Sequence, residues 1–296
     1  SGNLNNSKHE IDSVLFLDII VDLIDEYLQI DSNIQRIYIS TQMHGFVLVD
    51  GSSQACSNYI SWKDRRSEVF RIGEDSALDW LKKNIPNDIL MKTGMGLRSG
   101  LPSVNLFVLQ RQKKIKTGMS FGTIGDFIVS SLTNTRISTS LSNAAGTGLF
   151  DVENNNWNSY LIDMLGLQLN FPILNKKTST PVGLYKGIKV FPAIGDQQAS
   201  LLGLERDLSN VAVSNIATGS QVTLTSPKLM LSNSFQTRPY INNTFLLTIP
   251  FIPAGRVLNS LVNLLKEVNN KFFGGNIEVE EVWRNLINYT NKIDLN

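Results

Sequence analysis

An α/β fold in two parts is what this chain predicts, and three observations carry the prediction. Short β-like runs alternate with helical segments over the first two thirds of the sequence; beyond residue 204 the pattern turns to hairpin-rich sequence; and a Gly-Asp pair stands where a strand hands over to a helix. A length of 296 residues suits one large or two medium domains, and the change of pattern sets the boundary between 1–205 and 206–296.

Taken in order, residues 11–29 read as a helix in which Asp18, Asp22, Asp25 and Gln29 form one polar stripe. That stripe is a solvated face, because nothing supplies a converging second set of metal ligands. A strand over 36–40, the loop Gln42-Met43-His44-Gly45, a strand over 46–49 and the turn Asp50-Gly51-Ser52-Ser53 follow. Helices are predicted over 77–83, 103–112, 124–132 and 157–165. An apolar run over 187–191 then leads into Ile194-Gly195-Asp196 and a helix over 197–204. Strands over 211–216 and 221–225 flank the tip Ala217-Thr218-Gly219-Ser220, and a strand over 244–249 leads to a long helix over 256–269. No internal repeat is present.

Composition removes several classes of function. The 27 basic and 26 acidic residues leave a net charge of +1, and the basic cluster at 111–116 is short, so no nucleic-acid partner is indicated. The single cysteine, Cys56, cannot form an internal disulfide and suits a reducing compartment. No apolar run is long enough to span a bilayer and the first residues lack the pattern of a secretory signal, so the expectation is a cytoplasmic protein without a membrane partner. The GxxxxGK[ST], HExxH and CxxC motifs are absent, and two histidines leave little for zinc, so no metal site is predicted.

Three small-residue tips remain as candidates for chemistry: Gln42-Met43-His44, Gly195-Asp196-Gln197 and Thr218-Gly219-Ser220. Gly195 allows close approach of the backbone to a ligand, and Asp196 would project from the mouth of a sheet, where a base is useful. From spacing alone, the reading of Asp196 as the N-cap of the following helix is favoured over that of a base. The Thr-Gly-Ser tip exposes N–H groups and hydroxyls of the kind that cradle phosphate. Ser61-Trp62-Lys63-Asp64-Arg65-Arg66 sets an aromatic face beside a carboxylate and a guanidinium, which suits a sugar, although taken singly a surface turn with a half-buried tryptophan and an Asp–Arg pair explains it better.

Taken together the motifs resemble the FGGY carbohydrate kinases, and among them the sedoheptulokinase-like branch. The resemblance rests on Thr41-Gln42-Met43-His44-Gly45, Trp62-Lys63-Asp64-Arg65-Arg66, Gly122-Thr123-Ile124-Gly125-Asp126-Phe127, Ser142-Asn143-Ala144-Ala145-Gly146-Thr147-Gly148-Leu149-Phe150-Asp151, Gly195-Asp196-Gln197-Gln198-Ala199-Ser200 and Asn215-Ile216-Ala217-Thr218-Gly219-Ser220, in that order. It implies an actin/hexokinase-like, RNase H-like two-domain fold, with 1–205 as a sugar-binding domain lacking its first strands and 206–296 as the start of a nucleotide-binding domain. It implies ATP and Mg²⁺ as cofactors and a sedoheptulose- or xylulose-type ketose as substrate. Asp196 would be the general base; Gln42, Met43, His44, Trp62, Asp64, Arg65 and Gln197 would bind the sugar; Thr218, Gly219, Ser220 and Gly255 would hold ATP. Oligomeric state stays open, a homodimer included.

The chain departs from the family at several points. The opening Asp-x-Gly-Thr-Thr hairpin and the Gly-rich adenosine segment are not found, Ala217 and Ala254 stand where glycines are usual, and Thr41 replaces the glycine before Gln42. Two readings of different class follow: part of an active sugar kinase, or a non-catalytic sugar-binding or regulatory relative that has lost ATP use. A purely structural α/β module is the third.

Overall fold

The computed structural model describes residues 7–204, 208, 211–217 and 219–292. The chain divides into two compact units, one of residues 1–209 and 225–247 and the other of 210–224 and 248–296. Segment 225–247 therefore returns to the first unit, across the boundary that the change of sequence pattern had suggested.

The first unit is organised around the strand Val47–Val49, which pairs antiparallel with Ser120–Gly122. Side chains alternate across a strand, and here both faces are buried: Val47 and Val49 join one apolar cluster with Phe127, Ile128 and Val190, while Phe46 and Leu48 join another with Phe107, Phe121 and Leu149. Helices cover each face. On the first lie Ile124–Thr133 and Ser13–Ile30, the latter contributing Phe16, Leu17, Ile20, Val21 and Ile24. On the second lie Ala77–Asn84, Pro102–Arg111 and Ser159–Leu165. This is the layered arrangement expected of an α/β domain.

Helix Ser13–Ile30 begins where the Asp12 carboxylate accepts from the N–H groups of Val14 and Leu15, both at 3.0 Å. Its acidic stripe is not wholly solvated, since Asp25 pairs with Lys186 at 2.7 Å and accepts from the Tyr185 hydroxyl at 2.8 Å. The expected strand over 36–40 is two short strands, Arg36–Ile37 and Ser40–Thr41, each with its own parallel partner. The helix expected from Trp157 starts at Ser159, because Trp157 pairs across to Phe150 and Asn158 caps the helix by accepting from Leu161 N–H. Two short helices, Asn87–Lys92 and Leu141–Ala145, and the strand Gln236–Pro239 join the unit without having been foreseen.

The second unit contains the hairpin of Ala212–Ile216 with Ser220–Ser226, in the register Ile216↔Ser220 and Asn215↔Gln221. Thr223 and Thr248 share a hydroxyl–hydroxyl hydrogen bond at 3.1 Å. The helix Gly255–Phe272 follows, and a helix Val279–Thr290, not anticipated, packs on it around the buried Val262 and Val282.

Candidate active site

The parallel pairing of Ile194–Gly195 with Ser40–Thr41, in the register Ile194↔Ser40 and Gly195↔Thr41, brings two strand ends side by side. Asp196 and Gln42 consequently leave the sheet at the same edge. Gly195 is tightly enclosed there: a Cβ on it would run into Gln198 Oε1 and stand 2.7 Å from both Cγ and Sδ of Met43, so these side chains would have to move. Gly195 itself is the N-cap of helix Asp196–Leu202 and makes no side-chain cap bond, so the cap reading of Asp196 does not hold. The Asp196 side chain is exposed, with Oδ1 accepting from the Gln197 N–H at 2.8 Å, in the first turn where a helix favours negative charge.

His44 sits in the left-handed backbone region with φ 70°. Its Nδ1 lies 2.6 Å from the Gly146 carbonyl at the end of helix Leu141–Ala145. A carbonyl can only accept, so Nδ1 carries the proton and Nε2 is left as an acceptor. Burial, reinforced by the nearby cations Arg98 and Arg238, holds the imidazole well below its usual range and therefore neutral. A neutral ring with an available Nε2 can accept from a hydroxyl.

Trp62 donates its indole N–H to Gln42 Oε1 at 2.9 Å and remains 40% exposed, which leaves an aromatic face open beside the loop. Lys63 Nζ lies 5.6 Å from that ring. The carboxylate two residues on has another use. Asp64 is fully buried, its Oδ1 accepting from Arg66 N–H and Nε at 3.0 and 2.7 Å, its Oδ2 from Arg66 Nη2 and His9 N–H at 2.8 and 2.9 Å. All four acceptor positions of a carboxylate are filled, so Asp64 is an anchor for the loop and not a sugar ligand. The sequence had offered Asp64 and Arg65 as the pair; Arg66 takes the inward place, while Arg65 is turned outward toward Glu68 at 3.6 Å.

Two buried residues that were not among the predicted site residues, Arg238 and Asp126, lie on elements that approach Gln197 and Thr41. Arg238, on strand Gln236–Pro239, donates from Nη1 to Gln197 Oε1 at 2.9 Å and from Nη2 to Gln236 Oε1 at 2.6 Å, so the side chain of Gln197 is engaged within the protein. Asp126, in the capping box of helix Ile124–Thr133, accepts from Thr123 N–H at 3.0 Å; burial pushes its carboxyl up to about 6. The helix lies so close to Thr41 that a Cβ on Gly125 would meet the threonine hydroxyl at 2.7 Å.

In the second unit Thr218 lies outside the described residues. Gly219 has open space where a Cβ would stand, and the buried Ser220 Oγ has no hydrogen-bond partner, features that fit a phosphate oxygen. The N–H of Gly255 is already used, donating to the Ala217 carbonyl at 3.1 Å. Among the described residues no group of three His, Cys, Asp or Glu side chains could hold a metal ion, and no helix is long and apolar enough to cross a membrane.

One sheet edge of this α/β protein thus presents an exposed carboxylate beside a hydrogen-bonding loop and an open indole. Residues 7–203 match the model of the N-terminal domain of the FGGY family of carbohydrate kinases, and the chain belongs to that family. It is 29% identical over 205 residues to glycerol kinase 2 of Saccharolobus solfataricus, covering 63% of this chain and 38% of that protein. Xylulose kinase of Staphylococcus xylosus is 25% identical over 205 residues, covering 63% and 41%. Among solved structures, xylulose kinase from Rhodospirillum rubrum superposes with a TM-score of 0.77 at 16% identity, over 98% of this chain and 60% of that one. Plasmodium falciparum glycerol kinase with ADP gives 0.76 at 20% identity, over 88% and 56%. The fold is thus the actin/hexokinase-like α/β fold of these kinases. The chain spans 38% of the length of the first of these curated relatives and 41% of the second.

Proposed function

We propose that the chain carries the acceptor side of an ATP-dependent carbohydrate kinase, with Asp196 as the general base toward the accepting hydroxyl. The observation that supports this most is the parallel pairing that sets the exposed Asp196 beside the Gln42–Met43–His44 loop. Phosphoryl transfer asks little covalent chemistry of a protein, so alignment of the hydroxyl and one group to take its proton are the main contributions required. In this reading His44 Nε2 and the Gln42 amide orient hydroxyls, the Trp62 face packs on C–H groups, and Met43 fills the floor behind Gly195. Arg65, turned outward toward Glu68, is given no contact with the acceptor in this reading.

ATP, when bound, supplies the phosphoryl group; Gly219 and Ser220, with Thr218 in the same tip, are the residues of this chain suited to its phosphates. Among the described residues no group of three His, Cys, Asp or Glu side chains converges to hold Mg²⁺. The acceptor is a polyol or ketose. The names of the relatives favour glycerol or xylulose, and the motif resemblance adds sedoheptulose.

A second reading, a sugar-binding relative without ATP use, draws on the Ala217–Gly255 bond, which occupies an amide that the kinase reading would give to phosphate. Turnover and binding separate the two. In the kinase reading, Asp196→Asn retains polyol binding by calorimetry and loses about 10²–10⁴-fold in turnover, whereas an Asn variant with unchanged turnover removes Asp196 from the reaction.

A further inference from the structure

We propose that the subsite beside Asp196 accepts a polyol that carries an oxyanion, a carboxylate or a phosphate ester, with the Arg238 guanidinium as its receptor. The inference deepens the kinase reading and rests on it.

Arg238 is 4% exposed and 195 residues distant in sequence from Met43, whose Sδ lies 3.3 Å from its Nη1. Its other protein partners, Gln197 Oε1 and Gln236 Oε1, are neutral acceptors. Its Nε is buried and has no hydrogen-bond partner, and none of the ion pairs among the described residues includes Arg238. A buried guanidinium without a bonded counter-ion is costly, so such a group is retained where a ligand supplies the missing charge. The two glutamine oxygens fix the plane of the fork, which is the pre-organisation that bidentate recognition of an oxyanion needs.

A second cation stands close by. Thr237 N–H donates to the Gly94 carbonyl at 2.9 Å, and a Cβ on Gly94 would run into the Thr237 carbonyl, so strand Gln236–Pro239 lies directly against the loop that leads to Arg98. The guanidinium of Arg98 adds to burial in lowering Arg238 to about 10, while Asp196 acts in the opposite sense, which places all three charges in one electrostatic neighbourhood. An anion held by Arg238 would supply the charge that its neutral glutamine partners leave unbalanced.

The test is calorimetric titration of the 296-residue chain with two matched pairs, gluconate against glucitol and glycerol 3-phosphate against glycerol. At least one anionic probe should bind about tenfold more tightly than its neutral partner, the pair identifying which oxyanion is taken. The preference should fall to near parity in Arg238→Gln and be reduced in Arg238→Lys, which keeps the charge and loses the fork; circular dichroism checks that each variant is folded, and the lysine variant decides if the glutamine one is not. Equal binding within both pairs, or a preference untouched by substitution, overturns the anion receptor and leaves the kinase reading standing. Failure of all four probes to bind overturns both.

Discussion

The indole N–H of Trp62 and the side-chain oxygen of Gln42 meet at 2.9 Å and tie together two loops that the sequence separates by 20 residues. The bond holds an aromatic face beside the strand end from which Gln42 emerges, next to Asp196. Trp62→Phe keeps an aromatic ring and removes the donor; Gln42→Leu removes the acceptor. Each should cost about 1 kcal/mol of polyol binding, and the double variant should cost less than the sum, a coupling near 0.5–1 kcal/mol. Strict additivity in calorimetric titrations of the four proteins would show that the bond does not organise the site.

Asp64 separates a structural from a binding role for the Trp62–Arg66 segment. Because its carboxylate is fully buried and bidentate with Arg66, which also reaches Glu10 at 2.6 Å, Asp64→Asn leaves Arg66 under-compensated. The expected loss is about 3–5 kcal/mol in urea unfolding, the range for breaking a buried ion pair from one side. Weaker polyol binding at unchanged stability is the outcome that would return Asp64 to the sugar.

For Asp126 the prediction concerns pH. Burial raises its carboxyl from 3.8 to about 6 in the folded chain, so folding favours the protonated form. The stabilising contribution is complete below about 3.8 and is lost as pH rises through about 6, a change of about 3 kcal/mol. The stability of the wild-type chain minus that of Asp126→Asn should therefore be larger at pH 4 than at pH 7. Urea unfolding at both values measures it, and a difference that does not change with pH would refute the assignment.

Elements whose signal is local were readable from sequence. The buried run around Val47, the hairpin tip after Ile216 and the strand-to-helix transition at Gly195 each carry their pattern within a few residues, and the structure has each of them. Arg238 was not readable, because Gln236–Pro239 is too short to show an alternating pattern and its contacts lie on the far side of the chain. Asp64 shows a subtler limit. The Asp-x-Arg spacing was visible, but only burial tells an inward pair from a surface one, and that depends on His9 and Glu10 arriving from the start of the chain. The helix Val279–Thr290 carried an apolar stripe in its sequence and went unrecognised.

Segment 225–247 belongs to the first unit although 210–224 belongs to the second, so the polypeptide leaves one body, returns to it and leaves again. A chain cut short after about residue 209 would lose Gln236 and Arg238, leaving Gln197 and Met43 facing a hole. Dissecting this protein into working halves therefore calls for rejoining 225–247 to the earlier segment through a designed linker, since no single cut preserves both pieces.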